Sequence, residues 1–167
     1  MIARVLTPAD ARLYINLRRR QAKEEPDSVT IDVKSELEGL SNENPSAAIF
    51  PADPARIYWG VEHHAAIVGL LAITRRFDAT LHSYLWLWGM YVRPRYRGTG
   101  VSRALMEAAL LWSDGEPKQS RLFSSFPAQN RRAYQLLQRW GFSPVSQSRP
   151  SVSRVPSDYT VVERLRR

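Results

Sequence analysis

Cysteine is absent from the 167 residues, which removes disulfides, thiolate nucleophiles and cysteine-based metal sites together and fits a reducing compartment. No stretch approaches the roughly 20 apolar residues of a membrane span. The opening MIARVLTPADARLY also lacks the unbroken apolar core of a secretory signal, so a cytoplasmic protein is expected. Long basic tracts are missing too, which tells against a disordered nucleic-acid-binding tail. What is present is 44% hydrophobic and 24% charged residues, the balance of a folded chain rather than a disordered one. The length suits a single domain spanning 1–167.

The net charge is +8, which favours anionic partners without separating nucleic acid from a phosphorylated cofactor. Its distribution says more. Residues 24–43 hold Glu24, Glu25, Asp27, Asp32, Glu36, Glu38 and Glu43 against Lys34 alone, a local −6, which leaves +14 on the remainder. These charges either solvate helix faces and loops or divide the surface between two differently charged ligands.

Periodicity and punctuation predict an α/β order with one central sheet. Strands are expected at 2–6, 57–62, 66–73, 81–92, 121–126, 142–146 and 159–165, with a hairpin at His63-His64. Helices are expected at 8–23, where Pro26 forbids extension, and at 31–40, 100–112 and 128–139, the last stopped by Gly141. Residues 45–54 and 143–157 read as loops.

One segment carries chemistry. Residues 90–102, MYVRPRYRGTGVS, run from a strand through a glycine turn into a helix. Glycines there let backbone approach a ligand, and the first amides of a helix have no internal partners while its dipole favours an anion. A diphosphate fits. The spacing is neither a P-loop nor the Gly-x-Gly-x-x-Gly of dinucleotide folds, so ATP and NAD are poorly supported.

The run Arg95-Tyr96-Arg97-Gly98-Thr99-Gly100 after Val92-Arg93-Pro94, with Asn130-Arg131-Arg132-Ala133 leading to Trp140-Gly141-Phe142, resembles the two signatures of the GNAT superfamily of N-acetyltransferases. The resemblance implies a mixed, mostly antiparallel central sheet flanked by helices and splayed between the 81–92 and 121–126 strands. Acetyl-CoA would thread through the gap as co-substrate, with no metal. Backbone groups of Met90, Tyr91 and Val92 would hold the pantetheine and thioester. Amides of Arg97, Gly98, Thr99, Gly100, Val101 and Ser102 would hold the diphosphate, and Asn130 would contact the pantetheine arm.

Two departures from the family pattern matter. Many members carry a tyrosine seven residues after the asparagine, placed to protonate the leaving thiolate; here that position is Leu137. Tyr134 is the substitute candidate, because at about 100° per residue it shares a helix stripe with Asn130 and Leu137; its alternative role is packing. The glutamates that members use as general bases are also missing. Trp86 and Trp88 stand on the strand where such acids occur, and Ser124-Ser125 on the next. Strict alternation places His82, Tyr84, Trp86, Trp88 and Met90 on one face unless a bulge near Gly89 shifts the register. His63, His64 and His82 are base candidates by residue type only.

The leading expectation is an enzyme that moves acetyl from acetyl-CoA to a primary amine by direct attack in a ternary complex, with proximity as the main source of rate. The acceptor would be a small-molecule amine, cationic if the 24–43 segment borders it, or a protein amine. No nucleic-acid or membrane partner is expected, and a homodimer is allowed for. The competing expectations are a non-catalytic acyl-CoA sensor or regulatory domain, and a nucleic-acid-binding module motivated only by charge and aromatics.

Overall fold

The computed structural model describes residues 1–39, 55–77, 82–116, 121–145 and 155–165. The expected loops at 45–54 and, for the most part, 143–157 lie outside them, as does Leu81.

Seven strands form one sheet in the order β1-β2-β3-β4-β5-β7-β6. They are β1 (Ala3–Val5), β2 (Arg56–His63), β3 (Ala66–Phe77), β4 (Ser83–Val92), β5 (Arg121–Pro127), β6 (Ser143–Pro144) and β7 (Tyr159–Leu165). Every pairing is antiparallel except β4 with β5. Four α-helices accompany them among the described residues: α1 (Ala11–Glu24), α2 (Ile31–Glu38), α3 (Val101–Gly115) and α4 (Arg131–Arg139). Helix α3 is the crossover that makes β4 and β5 parallel. None of these helices is long and apolar enough to cross a membrane.

Local chemistry sets the boundaries. Before α1, Pro8–Asp10 form a 3-10 turn in which the Asp10 carboxylate accepts from the Thr7 amide at 2.8 Å and from both guanidinium arms of Arg4, at 2.7 and 2.9 Å. That arrangement supplies acceptors for amides the helix start leaves unpaired. The Arg4 hydrogen bonds hold the Asp10 carboxyl well below the usual carboxylate range. Asn130 caps α4, its Oδ1 accepting from the Ala133 amide at 3.0 Å, so the helix opens at Arg131 instead of at 128.

Three strand expectations are corrected. The hairpin turns at His64-Ala65, both in the left-handed region at φ 50° and 56°, one residue later than expected; that two-residue geometry matches the strand twist. Strand β3 runs on to Phe77 because Thr74–Phe77 find partners in Trp86–Ser83. The 142–146 strand shrinks to Ser143–Pro144 on the outer edge beside β7, where a proline without an N–H is tolerated.

The sheet has two unlike faces. On one, Leu71, Ile73, Leu85 and Leu87 of the sheet pack with Leu105 and Met106 of α3 and Leu137 of α4 in a mostly aliphatic core that also holds Trp59, Phe126 and Phe142. Against α1 and α2 lie Tyr14, Tyr58, Tyr84, Trp86, Trp88, Tyr91 and Phe123 with Val33 and Leu70.

Candidate functional site

The parallel ladder between β4 and β5 joins only Leu85, Trp86 and Leu87 to Leu122, Phe123 and Ser124. Beyond Leu87 the two strands part. The β5-facing peptide groups of Trp88 to Val92 therefore have no β5 ladder partner, while β5 stays paired with β7 on its other edge along its whole length, Arg121 to Pro127. This is a sheet opened into a V along its middle.

A bulge marks the start of the opening. The β3–β4 register runs Ala72↔Trp88 and then Leu70↔Tyr91, so Gly89 and Met90 together oppose Leu71. Gly89 takes φ +65°, a conformation other residues adopt only with strain. The bulge shifts the alternation: Tyr84, Trp86 and Trp88 face α1 and α2, Tyr91 joins them, and Met90 moves to the α3 side with Val92. Strict alternation had put Met90 with the tryptophans.

At the end of β4 the chain makes a 3-10 turn at Pro94–Tyr96 and then the glycine turn. Gly98 and Gly100 sit at φ +77° and +90°, and a Cβ built on either meets no atom within 4 Å. Among the described residues nothing crowds the Cβ side of these two glycines, so an anionic ligand can approach the backbone there. Helix α3 starts directly at Val101 with no side-chain cap, leaving its first amides for such a ligand. Thr99 Oγ1 donates to the Tyr96 carbonyl at 2.7 Å and braces the turn. Arg97 turns inward, donating to the Val92 carbonyl at 3.0 Å and to Glu25 at 2.6 Å. The other expected contacts border this feature as sequence order requires: Tyr91 and Val92 are buried at the end of β4, Val101 is buried at the helix start, and Ser102 is half-buried.

On α4, Leu137 is 5% exposed and belongs to the aliphatic core. Tyr134 is half-buried beside it, its ring 6.0 Å from that of Phe126 on β5, and its hydroxyl has no hydrogen-bond partner among the described residues. Asn130 stays half-buried at the helix start, with its amide nitrogen uncommitted by the cap.

Trp86 and Trp88 are buried, and their polar edges are taken. Trp86 Nε1 donates to Asp32 at 3.3 Å under the guanidinium of Arg76, and Trp88 Nε1 donates to Thr74 Oγ1 at 2.8 Å. Of the acids in 24–43, five have a basic partner: Glu24 with Arg20, Glu25 with Arg97, Asp32 with Arg76, Glu36 with Arg18 and Glu38 with Lys34. Glu43 lies outside the described residues. The negative segment is thus largely compensated within the fold. His63 meets His64 edge to face and lies 3.4 Å from the Tyr96 hydroxyl at the hairpin, while His82 is exposed before β4.

The groups that composition alone did not single out are Arg18 and Glu36, whose side chains are 1% and 4% exposed. The phenols of Tyr14 and Tyr58 both donate to the Glu36 carboxylate, the latter at 2.7 Å. Burial, reinforced by that carboxylate, pushes both phenols well above the ordinary tyrosine range. The only sequence sign was an arginine on the apolar stripe of α1.

The family model for the acetyltransferase (GNAT) family matches residues 24–142. Among solved structures, a GNAT-family acetyltransferase from Streptococcus pneumoniae is 22% identical, covers 99% of each chain and superposes at a TM-score of 0.75. A ribosomal-protein-alanine N-acetyltransferase from Brucella melitensis is 20% identical over 99% of each chain at 0.66. A spermidine N-acetyltransferase variant from Vibrio cholerae is 17% identical, over 99% of this chain and 95% of its own, at 0.65. No curated protein sequence matches significantly. The chain belongs to the GNAT acetyltransferase family and is an acetyl-CoA-dependent acyltransferase.

Proposed function

We propose that the chain, acting as one domain over 1–167, transfers acetyl from acetyl-CoA to a primary amine by direct attack in a ternary complex. The observation that carries this reading is the continuous path from the open β4–β5 edge to the glycine turn and uncapped start of α3. A flexible thioester arm suits the first and a diphosphate the second. Acetyl-CoA supplies an activated acyl group, and the protein's task is to hold it.

In this reading, backbone of Met90, Tyr91 and Val92 lines the pantetheine and thioester. Amides from Arg97 through Ser102 take the diphosphate, and the Asn130 amide nitrogen reaches the arm. Fixing the amine against the thioester supplies about 7–11 kcal/mol of the barrier, so few side chains need special chemistry. Tyr134 is the phenol available to protonate the departing sulfur, with Leu137 buried beside it.

The acceptor separates two versions of this function. The fold neighbours name spermidine in one case and a ribosomal-protein alanine in another at nearly equal superposition, so likeness does not choose between them. A cationic small amine is favoured here by the run of acids from the end of α1 through α2, although their internal pairing leaves less free charge than the count suggests.

The test is acetyl transfer to a panel of polyamines, amino sugars, neutral amines, acidic amino acids and peptide N-termini, at two salt concentrations. A parallel series uses a variant with the acids of 24–43 neutralised. Transfer to cationic amines with a KM that rises with salt and in the variant is expected. Preference for acidic amino acids, or an unaltered KM, removes the cationic assignment. Acetyl-CoA binding without transfer to any amine favours the sensor reading, for which the missing glutamates and Leu137 speak.

A further inference from the structure

Helix α1 places a full positive charge under the sheet, at a position where its stripe would accept an apolar residue. Arg18 Nε donates to the Tyr14 hydroxyl at 3.0 Å, and Nη1 donates to Gln21 Oε1 at 3.0 Å and to the Gly89 carbonyl at 2.6 Å. Glu36 lies 3.7 Å from Nε and is held by the two phenols. Burying an ion pair costs several kcal/mol unless its geometry and hydrogen bonds offset it. Packing alone therefore does not account for this arginine, and the partner farthest from it in sequence is the informative one.

Gly89 is the residue that the bulge pushes out of the β3–β4 ladder, two positions beyond Leu87, the last β4 residue paired with β5. Its carbonyl turns toward α1 and is taken by Arg18. The fit is mutual: a Cβ at Gly89 would stand 2.5 Å from Arg18 Nη2, so the guanidinium lies where only glycine leaves room. Nη2 itself has no hydrogen-bond partner among the described residues. The arginine is thus held by its other nitrogens with its flat edge against the bulge. A peptide plane has few free torsions, so fixing the Gly89 carbonyl constrains the peptide groups that follow, at the mouth of the opening.

We propose that Arg18 is a positioning residue for acetyl transfer: by holding the Gly89 carbonyl on the α1 side, it aims the backbone amides following the bulge at the thioester carbonyl. Glu36, Tyr14 and Tyr58 hold the arginine in place. The inference rests on the acetyl-transfer reading above for its consequence in turnover, and on binding alone for its spectroscopic consequence.

The experiment compares the parent, Arg18→Met, Arg18→Lys and Gly89→Ala. Three quantities are measured: the dissociation constant of acetyl-CoA by calorimetry, the infrared carbonyl stretch of bound isotope-labelled acetyl-CoA, and kcat. In the parent, amides aimed at the carbonyl lower its stretch relative to free acetyl-CoA. In Arg18→Met the stretch returns toward the free value while the dissociation constant stays within about threefold, because the diphosphate turn is untouched. There kcat falls on the order of 10²-fold, the scale of losing an aligned backbone donor; Arg18→Lys recovers part of both. Gly89→Ala displaces the guanidinium from the other side and gives the same signature should Arg18→Met not fold. A folded Arg18→Met with parental stretch and kcat overturns the proposal, and so does a parent whose bound stretch equals the free value. If the parent moves acetyl to no amine, the acetyl-transfer reading fails while the stretch comparison still decides the role of Arg18.

Discussion

The two faces of the sheet are built on different principles. The buried core of the face under α3 and α4 is mostly aliphatic, and α3 docks by filling space with Leu105, Met106, Ala109 and Leu110. The face under α1 and α2 is aromatic and wired by polar groups: Arg18 and Glu36 between Tyr14 and Tyr58, Trp86 on Asp32, Trp88 on Thr74. The difference follows from what each covers. Aliphatic packing is non-directional and needs only volume, whereas the bulge at Gly89 exposes a carbonyl that has left its ladder and requires a donor. The first face is scaffold. The second holds the shape of the strand from which we propose the chemistry is done.

The sharpest way to break this comparison is to remove one element from each face. Glu36→Ala leaves Arg18 buried without its counter-charge and is expected to destabilise by about 3–5 kcal/mol in urea unfolding. Leu105→Ala on the other face should cost about 2–5 kcal/mol through the cavity it opens, with kcat per folded molecule unchanged. Equal activity loss in the two variants would erase the distinction between scaffold and site.

Tyr134→Phe probes the aliphatic side where α4 meets the opening. Removing the hydroxyl alone should lower kcat about 10²-fold if it protonates the leaving sulfur. Unchanged turnover would make Tyr134 a packing residue and leave α4 wholly on the scaffold side.

Gly100→Val tests the turn where the two faces meet. A β-branched residue at φ +90° is strained, and its side chain would enter the open space before the backbone. Acetyl-CoA affinity measured by calorimetry should fall at least about tenfold, some 1.4 kcal/mol. Parental affinity would displace the diphosphate from this turn.

The smallest effect is expected at the rim of the aromatic face. The hydrogen bonds from Arg4 lower the pKa of the Asp10 carboxyl in the folded state below its ordinary value of about 3.8. Its contribution is therefore fully present above that value and lost as pH falls through the folded-state value. Asp10→Asn should cost on the order of 1–2 kcal/mol at neutral pH. Denaturant midpoints of parent and variant should converge as the medium is acidified below pH 4, and a constant gap would show that charge is not the cause.

Much of this was legible in the chain. The strand order of residue types, the helix expected at 31–40 and found at Ile31–Glu38, and the last strand follow from periodicity and proline placement, because apolar spacing reports which face meets a core. The glycine turn was readable because positive φ and close ligand approach leave few alternatives to glycine. The strand expected at 66–73 extends to Phe77, because Thr74, Arg75 and Arg76 look like a strand's end until β4 supplies partners for them. The face of Met90 depends on whether a bulge near Gly89 shifts the register, and the pairing with β3 decides it, because a bulge is a property of two strands in register.

The amino-acid sequence by itself determined the family, the α/β class and the position of the glycine turn, since each depends on local spacing of residue types. Tertiary structure decided where charge ends up. Arg18, Glu36 and Asp32 are ordinary charged residues of amphipathic helices until the sheet closes over them and fixes which partner each meets. Burial, and the pairing it compels, arises only from the contact of segments distant in the chain. For that reason the acids of 24–43, counted along the chain as a negative pole, are bound in the fold mostly to arginines of α1, β3 and the glycine turn.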